Sequence, residues 1–381
     1  MPITAYSFEA RRELDLGQWL TLNGYLPKND PELLSLPSEL RAKAAVDIEC
    51  SCCGAGGATL VRGAHSRGNG KAVAQGHFRF RTADGANPHD PLCDFFDEQA
   101  VRGTEYLFGF ADDRSALTRA IRDLVCRGIG AGLFSAVDMH SMRQWFLHEK
   151  AAHAVVLDVT PEQLQWCVDM HAADAWSPAS LPFMPEHGAI PGFDWNVAAR
   201  LEWVRRNSDL FAEVERSVHF RRQTIERPLR LLGQHGGQIV LDPSALRERY
   251  EVACRLARFA AFYLFDPGAT PPAIADQHPS LWGPAAHAVL AFCSLLLFVS
   301  DWDIQRASAL FGRIKGVGPA PDAPDGNLIG LNPFHDYQAW QVINSARRVI
   351  AKRVDDRAVS VQIADVRGEM ETAYRDWASR Q

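Results

Sequence analysis

The sequence predicts an α+β fold, in which a small cysteine-bearing β module precedes a mainly α-helical domain. Three observations predict this fold. Cys50, Cys52 and Cys53 fall within four positions. A stretch rich in β-prone residues and glycine follows them. From residue 98 onward, apolar residues recur three and four positions apart, which is the period of an α-helix.

Length and composition indicate a folded chain of more than one domain. The 381 residues are enough for two or three domains, and 47% hydrophobic and 23% charged residues are ordinary for a folded soluble protein. We divide the chain into an N-terminal segment packed on the module, the module itself, a helical region and a helical domain. These four segments cover residues 1–48, 49–97, 98–190 and 191–381.

The cysteines have the spacing of a metal-binding knuckle. Zinc prefers four tetrahedral ligands drawn from thiolate sulfur and imidazole nitrogen, and its structural sites commonly begin with Cys-x2-Cys. Cys50 and Cys53 have this spacing, and Gly54 follows where the chain must turn sharply. Adjacent residues point apart, so Cys52 is interpreted as a spectator. The sequence therefore predicts zinc as the cofactor.

The second pair of ligands comes later in the chain. His89 and Cys93 have three residues between them, a spacing suited to a helical turn or a compact loop. His77, near the end of a predicted strand, could equally complete the site. The candidate ligands are thus three cysteines and one of two histidines: Cys50, Cys53, Cys93, and His77 or His89. The alternative is a set of buried thiols that bind no metal.

The segment between the two ligand pairs is predicted to be a β-hairpin. Thr59 to Arg62 is a short β-prone run, Asn69-Gly70 is a strong turn dipeptide, and residues 72–80 return toward the knuckle. A knuckle, a hairpin and a later pair of ligands together describe a zinc-ribbon or treble-clef-like module.

Three short elements carry a family resemblance. They are Cys50-x2-Cys53-Gly54, the pair His77-Phe78, and the run from Cys93 to Phe96. With them, roughly the first hundred residues resemble the N-terminal zinc-finger module of the competence protein CoiA family. This resemblance implies Cys50, Cys53, His77 and Cys93 as counterparts of the family's ligands. Phe80 stands where the family has a second histidine, and the insertion before Cys93 is longer.

The resemblance also implies a role. CoiA-family proteins are linked to the uptake and processing of transforming DNA, so a DNA-associated protein of bacterial type is expected. Their nuclease domain has no recognisable counterpart here. The nearest strand-like candidate, residues 237–241 followed by Asp242, lacks a carboxylate and a lysine at the required offset.

Charge is distributed unevenly along the chain. The net charge of −6 argues against a generally basic nucleic-acid-binding protein. Between Cys50 and Thr82, however, there is no acidic residue. This stretch carries five basic residues that could contact phosphates, and the alternative is a solubilising surface. The five residues are Arg62, Arg67, Lys71, Arg79 and Arg81.

Cysteine usage and hydropathy predict a cytoplasmic location. Four of the eight cysteines are isolated within apolar helical patterns, so the sequence shows no disulfide framework. The N-terminus lacks the apolar core of a signal peptide. The longest apolar run, Ala285 to Ser300, is shorter than the ~20 residues of a membrane span, so we expect a buried core helix and no membrane partner.

Helix signals fill the rest of the chain. An apolar stripe runs from Ala116 to Val125, and glycines at 128, 130 and 132 are expected to end that helix. Thr160-Pro161-Glu162-Gln163 predicts a capping box at a helix start. HEKAAH, starting at His148, resembles the zinc-protease motif HExxH, but its histidines are five residues apart and lie on different helix faces.

Three hypotheses for function follow from these features. The first is a zinc-stabilised cytoplasmic protein with a CoiA-like finger that associates with DNA. The second is a helical protein-interaction or regulatory scaffold whose zinc site is purely structural. The third is a divergent nuclease whose acidic residues come together only in the fold. The sequence assigns no catalytic residue, and an enzymatic activity is left open.

Overall fold

A computed structural model gives the structure of the chain. It describes residues 4–26, 30, 33–62, 64–65, 72–74, 76–82, 84–96, 106–109, 116–174, 182–214, 220, 225–265, 274, 286–318 and 329–381. This described part is a mixed α and β structure in which helices predominate and the sheets are small. None of the described helices is both long and apolar enough to cross a membrane.

The secondary structure elements are numbered here in chain order. The strands are β1 (Thr4–Ser7), β2 (Arg12–Asp15), β3 (Ile48–Glu49), β4 (Ala58–Val61), β5 (Ala64–His65), β6 (Ala72–Ala74), β7 (His77–Phe80), β8 (Leu107–Gly109), β9 (Ala154–Val156), β10 (Ile239–Leu241) and β11 (Ile329–Leu331). The helices are α1 (Leu16–Leu22), α2 (Ser38–Asp47), α3 (Ala116–Gly130), α4 (Ala136–Ala152), α5 (Pro161–Asp174), α6 (Trp195–Arg206), α7 (Ser208–Ala212), α8 (Glu226–His235), α9 (Arg247–Phe265), α10 (Ala286–Phe298), α11 (Ile304–Gly316), α12 (Tyr337–Lys352) and α13 (Val359–Ala378).

The chain forms two compact units, each made of two separate stretches. The first unit comprises Met1–His153 and Leu246–His335, and the second comprises Ala154–Ala245 and Asp336–Gln381. Composition along a chain can suggest only consecutive segments, whereas both units here are discontinuous. The division into four consecutive segments stays a prediction.

The first unit begins with a three-stranded antiparallel sheet in the order β2-β1-β3. Tyr6 of the central strand is in register with Glu13 of β2 and with Glu49 of β3. Directly opposed residues in a sheet project to the same face, so these three side chains share one face. Because β3 leads directly into Cys50, this sheet fixes where the cysteine knuckle begins.

Asp47 connects the elements around this sheet. Its carboxylate accepts hydrogen bonds from Ser7 Oγ at 2.8 Å, Trp19 Nε1 at 2.7 Å and the backbone amide of Glu9 at 2.8 Å. Burial alone would raise the pKa of Asp47, but these donors stabilise the charged form and lower it. A buried carboxylate with three donors thus holds β1, α1 and the end of α2 together.

The predicted hairpin is present in the described residues as two antiparallel pairs, β4 with β7 and β5 with β6. The predicted turn at Asn69-Gly70 lies outside the described residues. Along β4 and β7 the buried residues alternate with more exposed ones, as expected for strands with one face in a core. The inward-facing residues Ala58, Leu60, Phe78 and Phe80 pack with Trp19 and with the cysteines.

The helical part of the first unit surrounds α10. This helix is apolar throughout, and Phe292, Leu296 and Leu297 have no exposed surface, which confirms the predicted buried core helix. The predicted end of α3 in the glycine run is confirmed, because the helix ends at Gly130 and Gly132 follows with φ +63°. Gly128 itself still lies within the helix. A Cβ at Gly128 would come within 2.2 Å of the Phe134 ring, so this glycine makes room for a packed aromatic ring rather than ending the helix.

The second unit is helical apart from the pair β9–β10, and it has its own core. Trp203 and Trp340 are among the large buried side chains at its centre. The predicted capping box at the start of α5 is confirmed: Thr160 N donates to Gln163 Oε1 at 2.9 Å, and Gln163 N donates to Thr160 Oγ1 at 3.3 Å. Asp242 follows β10 and accepts hydrogen bonds from Asn344 and Arg347.

Candidate metal centre

The first half of the candidate centre is a tight turn from Cys50 to Gly54. Gly54 N donates to Cys50 O at 2.9 Å, and Cys50 N donates to Ala55 O at 2.8 Å. Gly54 has φ +70°, a left-handed conformation that L residues with a side chain rarely adopt. The turn brings the side chains of Cys50 and Cys53 to the same side of the chain.

The second half is a compact turn that contains His89 and Cys93. Asn87 Oδ1 accepts from His89 N at 3.1 Å, and Asp90 Oδ1 accepts from Leu92 N at 2.8 Å. Cys93 N donates to Asp90 O at 2.9 Å. These short polar side chains satisfy the backbone locally, which is why the segment turns here instead of continuing as a strand.

The two halves bring four donor atoms together. The sulfurs of Cys50, Cys53 and Cys93 and one ring nitrogen of His89 all lie within 4.8 Å of one another. The Sγ atoms of Cys50 and Cys93 are 3.7 Å apart, and His89 Nδ1 lies 3.3 Å from Cys53 Sγ and 3.7 Å from Cys93 Sγ. A tetrahedral zinc ion with its usual bond lengths would place two sulfurs about 3.8 Å apart, and sulfur and nitrogen about 3.6 Å apart. The cluster therefore has dimensions that could hold a metal ion.

The cluster is closed to solvent on most sides. Cys50 is fully buried, and His89 and Cys93 expose only 5% and 6% of their surface, while Cys53 is half-buried. All eight cysteines of the chain are free thiols, so none of the four candidate ligands is part of a disulfide. A site with four protein ligands and little exposure leaves no open position for a substrate.

The thiols and the imidazole perturb one another strongly. Hydrogen bonds from the other cysteines lower the pKa of the Cys93 thiol, whereas burial raises the pKa of Cys50. Burial alone would lower the pKa of His89, but its contacts with the sulfurs of Cys53 and Cys93 raise it to about 9. Phe95 N also donates to Cys93 Sγ at 3.4 Å. These contacts thus stabilise negative charge on the sulfur of Cys93, which is the form that binds a cation.

Of the two candidate histidines, the structure places His89 with the cysteines. His77 lies on β7 opposite Val61, on the face that the buried Phe78 and Phe80 do not occupy. The ring of Phe80 contacts the ring of His89 edge-on, at 5.3 Å between centroids. The alternation His-Phe-Arg-Phe in the sequence could have indicated this choice. Side chains of a strand alternate between its two faces, so two phenylalanines that face the core place His77 on the opposite face.

Sequence reasoning missed a buried polar layer around the cluster. Asp94 Oδ2 lies 3.8 Å from Cys52 Sγ, and Asp94 Oδ1 lies 2.5 Å from Lys150 Nζ of α4. His140, also on α4, has its Nε2 atom 3.4 Å from Glu49 Oε1. Cys52, interpreted as a spectator, is accordingly outside the group of four and in contact with this layer. Its participants come from distant parts of the chain, so spacing alone did not indicate them.

The predicted basic residues are only partly described. Arg62 is exposed at the end of β4, and Arg79 and Arg81 are half-buried on and just after β7. Arg81 Nη1 donates to Gly85 O at 3.4 Å. Arg67 and Lys71 lie outside the described residues. The described arginines therefore line one part of the hairpin, in a stretch of sequence from Cys50 to Thr82 that contains no acidic residue.

Comparison with known proteins gives no relative: no family model, no curated protein and no solved structure matches this chain. The resemblance to the CoiA finger stays a prediction. His89 rather than His77 lies with the three cysteines, so the structure departs from the residue correspondence that the resemblance implies.

Proposed function

We propose that Cys50, Cys53, His89 and Cys93 bind one zinc ion with a structural role. The observation that carries this proposal is the close approach of the four donor atoms, all within 4.8 Å of one another, although they come from two turns about forty positions apart in the chain. Three soft thiolates and one imidazole favour zinc over harder ions such as magnesium or calcium.

The surroundings support a structural rather than a catalytic ion. The cysteines belong to the same buried cluster as Phe78, Phe80 and Trp19, so the ion would sit inside a core and hold together strands too short to be stable alone. Zinc binding in such a small module contributes directly to its folding free energy. In this proposal the knuckle, the hairpin and the later turn form a zinc-ribbon or treble-clef-like module.

Metal analysis of matched cysteine variants tests the zinc site. The purified protein should contain about one zinc per chain, and its cobalt-substituted form should show the sulfur-to-cobalt charge-transfer absorption of a thiolate site. Cys50→Ser should lose both signals. Cys293→Ser is the matched control and should keep both signals, because Cys293 is a buried thiol on α10 of the same unit and outside the group of four. A wild-type protein free of metal and unable to bind cobalt would refute the proposal.

We further propose that the zinc module associates with DNA through its basic hairpin. Arg62, Arg79 and Arg81 support this, since they lie on the part of the chain that carries no acidic residue although the whole protein has a net charge of −6. Phosphate contacts need this kind of local basic surface. A scaffold that binds only a protein partner through its helices is the alternative.

Fluorescence titration with single- and double-stranded DNA over a range of salt concentrations tests the DNA contact. Replacing Arg62, Arg79 and Arg81 together with glutamine should weaken binding and reduce the slope of log K against log salt concentration by about 2–3. The matched control replaces three exposed basic residues of α11, Arg306, Arg313 and Lys315, and should leave the slope unchanged. Binding that is absent in the wild type, or equal in both variants, contradicts the DNA contact.

A further inference from the structure

We propose that α4 forms the outer layer of the metal centre, with Lys150 and His140 as positioning residues that hold the two ligand-bearing turns at the separation the ion requires. This inference rests on the proposed zinc site and adds a part of the chain that no sequence pattern connects with it.

Lys150 contacts both neighbours of Cys93, one through the backbone and one through the side chain. Its Nζ donates to Leu92 O at 3.2 Å and lies 2.5 Å from Asp94 Oδ1, and these two residues flank the ligand. The side chain is buried, and the Nζ atom also lies 4.7 Å from the ring centroid of Tyr106 and 4.9 Å from that of Phe146. A buried ammonium group with these contacts has little freedom to move, so it fixes the position of Cys93.

His140 contacts the residue before Cys50. Its Nε2 lies 3.4 Å from Glu49 Oε1, at the end of the strand that leads into this ligand. The imidazole stacks on Tyr6 with 4.0 Å between ring centroids and an interplanar angle of 11°. Because Tyr6 belongs to the central strand of the N-terminal sheet, the stack fixes the ring against a rigid surface.

A third contact connects the two turns directly. The Asp94 carboxylate that pairs with Lys150 through Oδ1 lies 3.8 Å from Cys52 Sγ through Oδ2. Cys52 lies within the knuckle, between the ligands Cys50 and Cys53. This series of contacts, from Lys150 through Asp94 to Cys52, therefore connects α4 with the second turn and then with the first. It does not involve any of the four donor atoms.

The geometry of a helix makes α4 suitable for this role. His140 and Lys150 are ten residues apart, which corresponds to about 15 Å along a straight α-helix. Both side chains are on its buried side, together with Arg143, which forms an ion pair with Glu13 of β2. A rigid element that contacts both turns keeps their spacing more constant than the loops could by themselves.

The charge of the site also favours a positively charged side chain at position 150. Three thiolates and a divalent ion leave a net charge of about −1 at the centre. Asp94, next to Cys93, adds a further negative charge. The ammonium group of Lys150 lies against that carboxylate and offsets it, so removing the lysine leaves a buried carboxylate beside a metal-bound thiolate.

Zinc affinity measured by chelator competition, together with the absorption spectrum of the cobalt form, tests this role. Lys150→Met should bind zinc about 10–100-fold more weakly, as is typical when an outer-layer partner of a ligand is removed. Its cobalt bands should also shift in energy or intensity, because the ligands move. Lys150→Arg keeps the charge and donors and should restore most of the affinity.

Two further variants make the result decisive. Lys43→Met removes a surface ion pair with Glu9 in the same unit and should leave affinity and spectrum unchanged. If Lys150→Met fails to fold, Lys150→Met combined with Asp94→Leu avoids the uncompensated carboxylate and should still bind zinc more weakly than the wild type. Wild-type affinity and an unshifted cobalt spectrum in Lys150→Met, or in the double variant where Lys150→Met does not fold, would overturn the positioning role. A wild-type protein that binds neither ion would instead refute the zinc site, and this inference with it.

Discussion

At the scale of single residues, the choice between two histidines depends on the direction of a side chain. His77 and His89 are equally plausible ligands by residue type, and both precede Cys93. The pleat of β7 decides between them, because Phe78 and Phe80 face the core and His77 lies on the other face. His89 is instead carried by a turn whose backbone is held by Asn87 and Asp90.

Replacing each histidine in turn with asparagine tests which of the two is a zinc ligand. His89→Asn should lower zinc affinity at least about 100-fold, because it removes one of four ligands, while His77→Asn should leave affinity close to that of the wild type. Chelator competition with a zinc indicator measures both. The reverse order of effects, with His77 the more sensitive, would show that the metal is held by a different set of ligands.

At the scale of elements, local signals predicted where helices begin and end, but not which distant residues they contact. The capping box at Thr160 is present because it depends on residues three positions apart. The glycine run likewise marks the end of α3 at Gly130, but the role of Gly128 was missed because it makes room for the ring of Phe134, a contact that composition does not reveal. The role of α4 was missed for the same reason, since its partners lie in the N-terminal module.

The Thr160 capping box provides a test at this scale. Thr160→Ala removes the acceptor for the Gln163 amide, and we expect the free energy of unfolding of the second unit to fall by about 1 kcal/mol. Denaturant unfolding followed by far-UV circular dichroism measures the change. Thr372→Ala is the control, because Thr372 is an exposed residue within α13 whose hydroxyl bonds back to Gly368 O, and its loss should be nearly neutral. Equal effects of the two substitutions would show that the box does not stabilise α5.

At the scale of the whole molecule, the proposed metal centre lies in one hydrophobic core and the second unit has another. The cysteine cluster packs with the residues of the N-terminal module, whereas the core of the second unit contains none of the four candidate ligands. In the second unit, α12 packs against α5, and α13 packs against α6 and α5. Removal of the metal should therefore destabilise the N-terminal module more than the second unit.

Hydrogen exchange with and without a strong zinc chelator checks this expectation. The chelator should reduce amide protection in β3, β4 and β7, because the ion supports folding of the module. Protection in α5 and α13 should change little, since these helices pack in the other core. Uniform loss of protection throughout the chain would show that the stability of both units depends on the metal.

The sequence by itself determined the features that depend on neighbouring residues. These are the knuckle with its glycine, the capping box before α5, the apolar core helix and the presence of three cysteine ligands and one histidine ligand in the candidate set. The tertiary structure decided which histidine joins the cysteines, where Cys52 lies, and that a helix far along the chain contacts the residues next to Cys50 and Cys93. The physical reason is the separation along the chain between the residues that contact one another. Lys150 and Leu92 are 58 positions apart, and such a contact is set by how the sheet, turn and helix pack rather than by any local spacing.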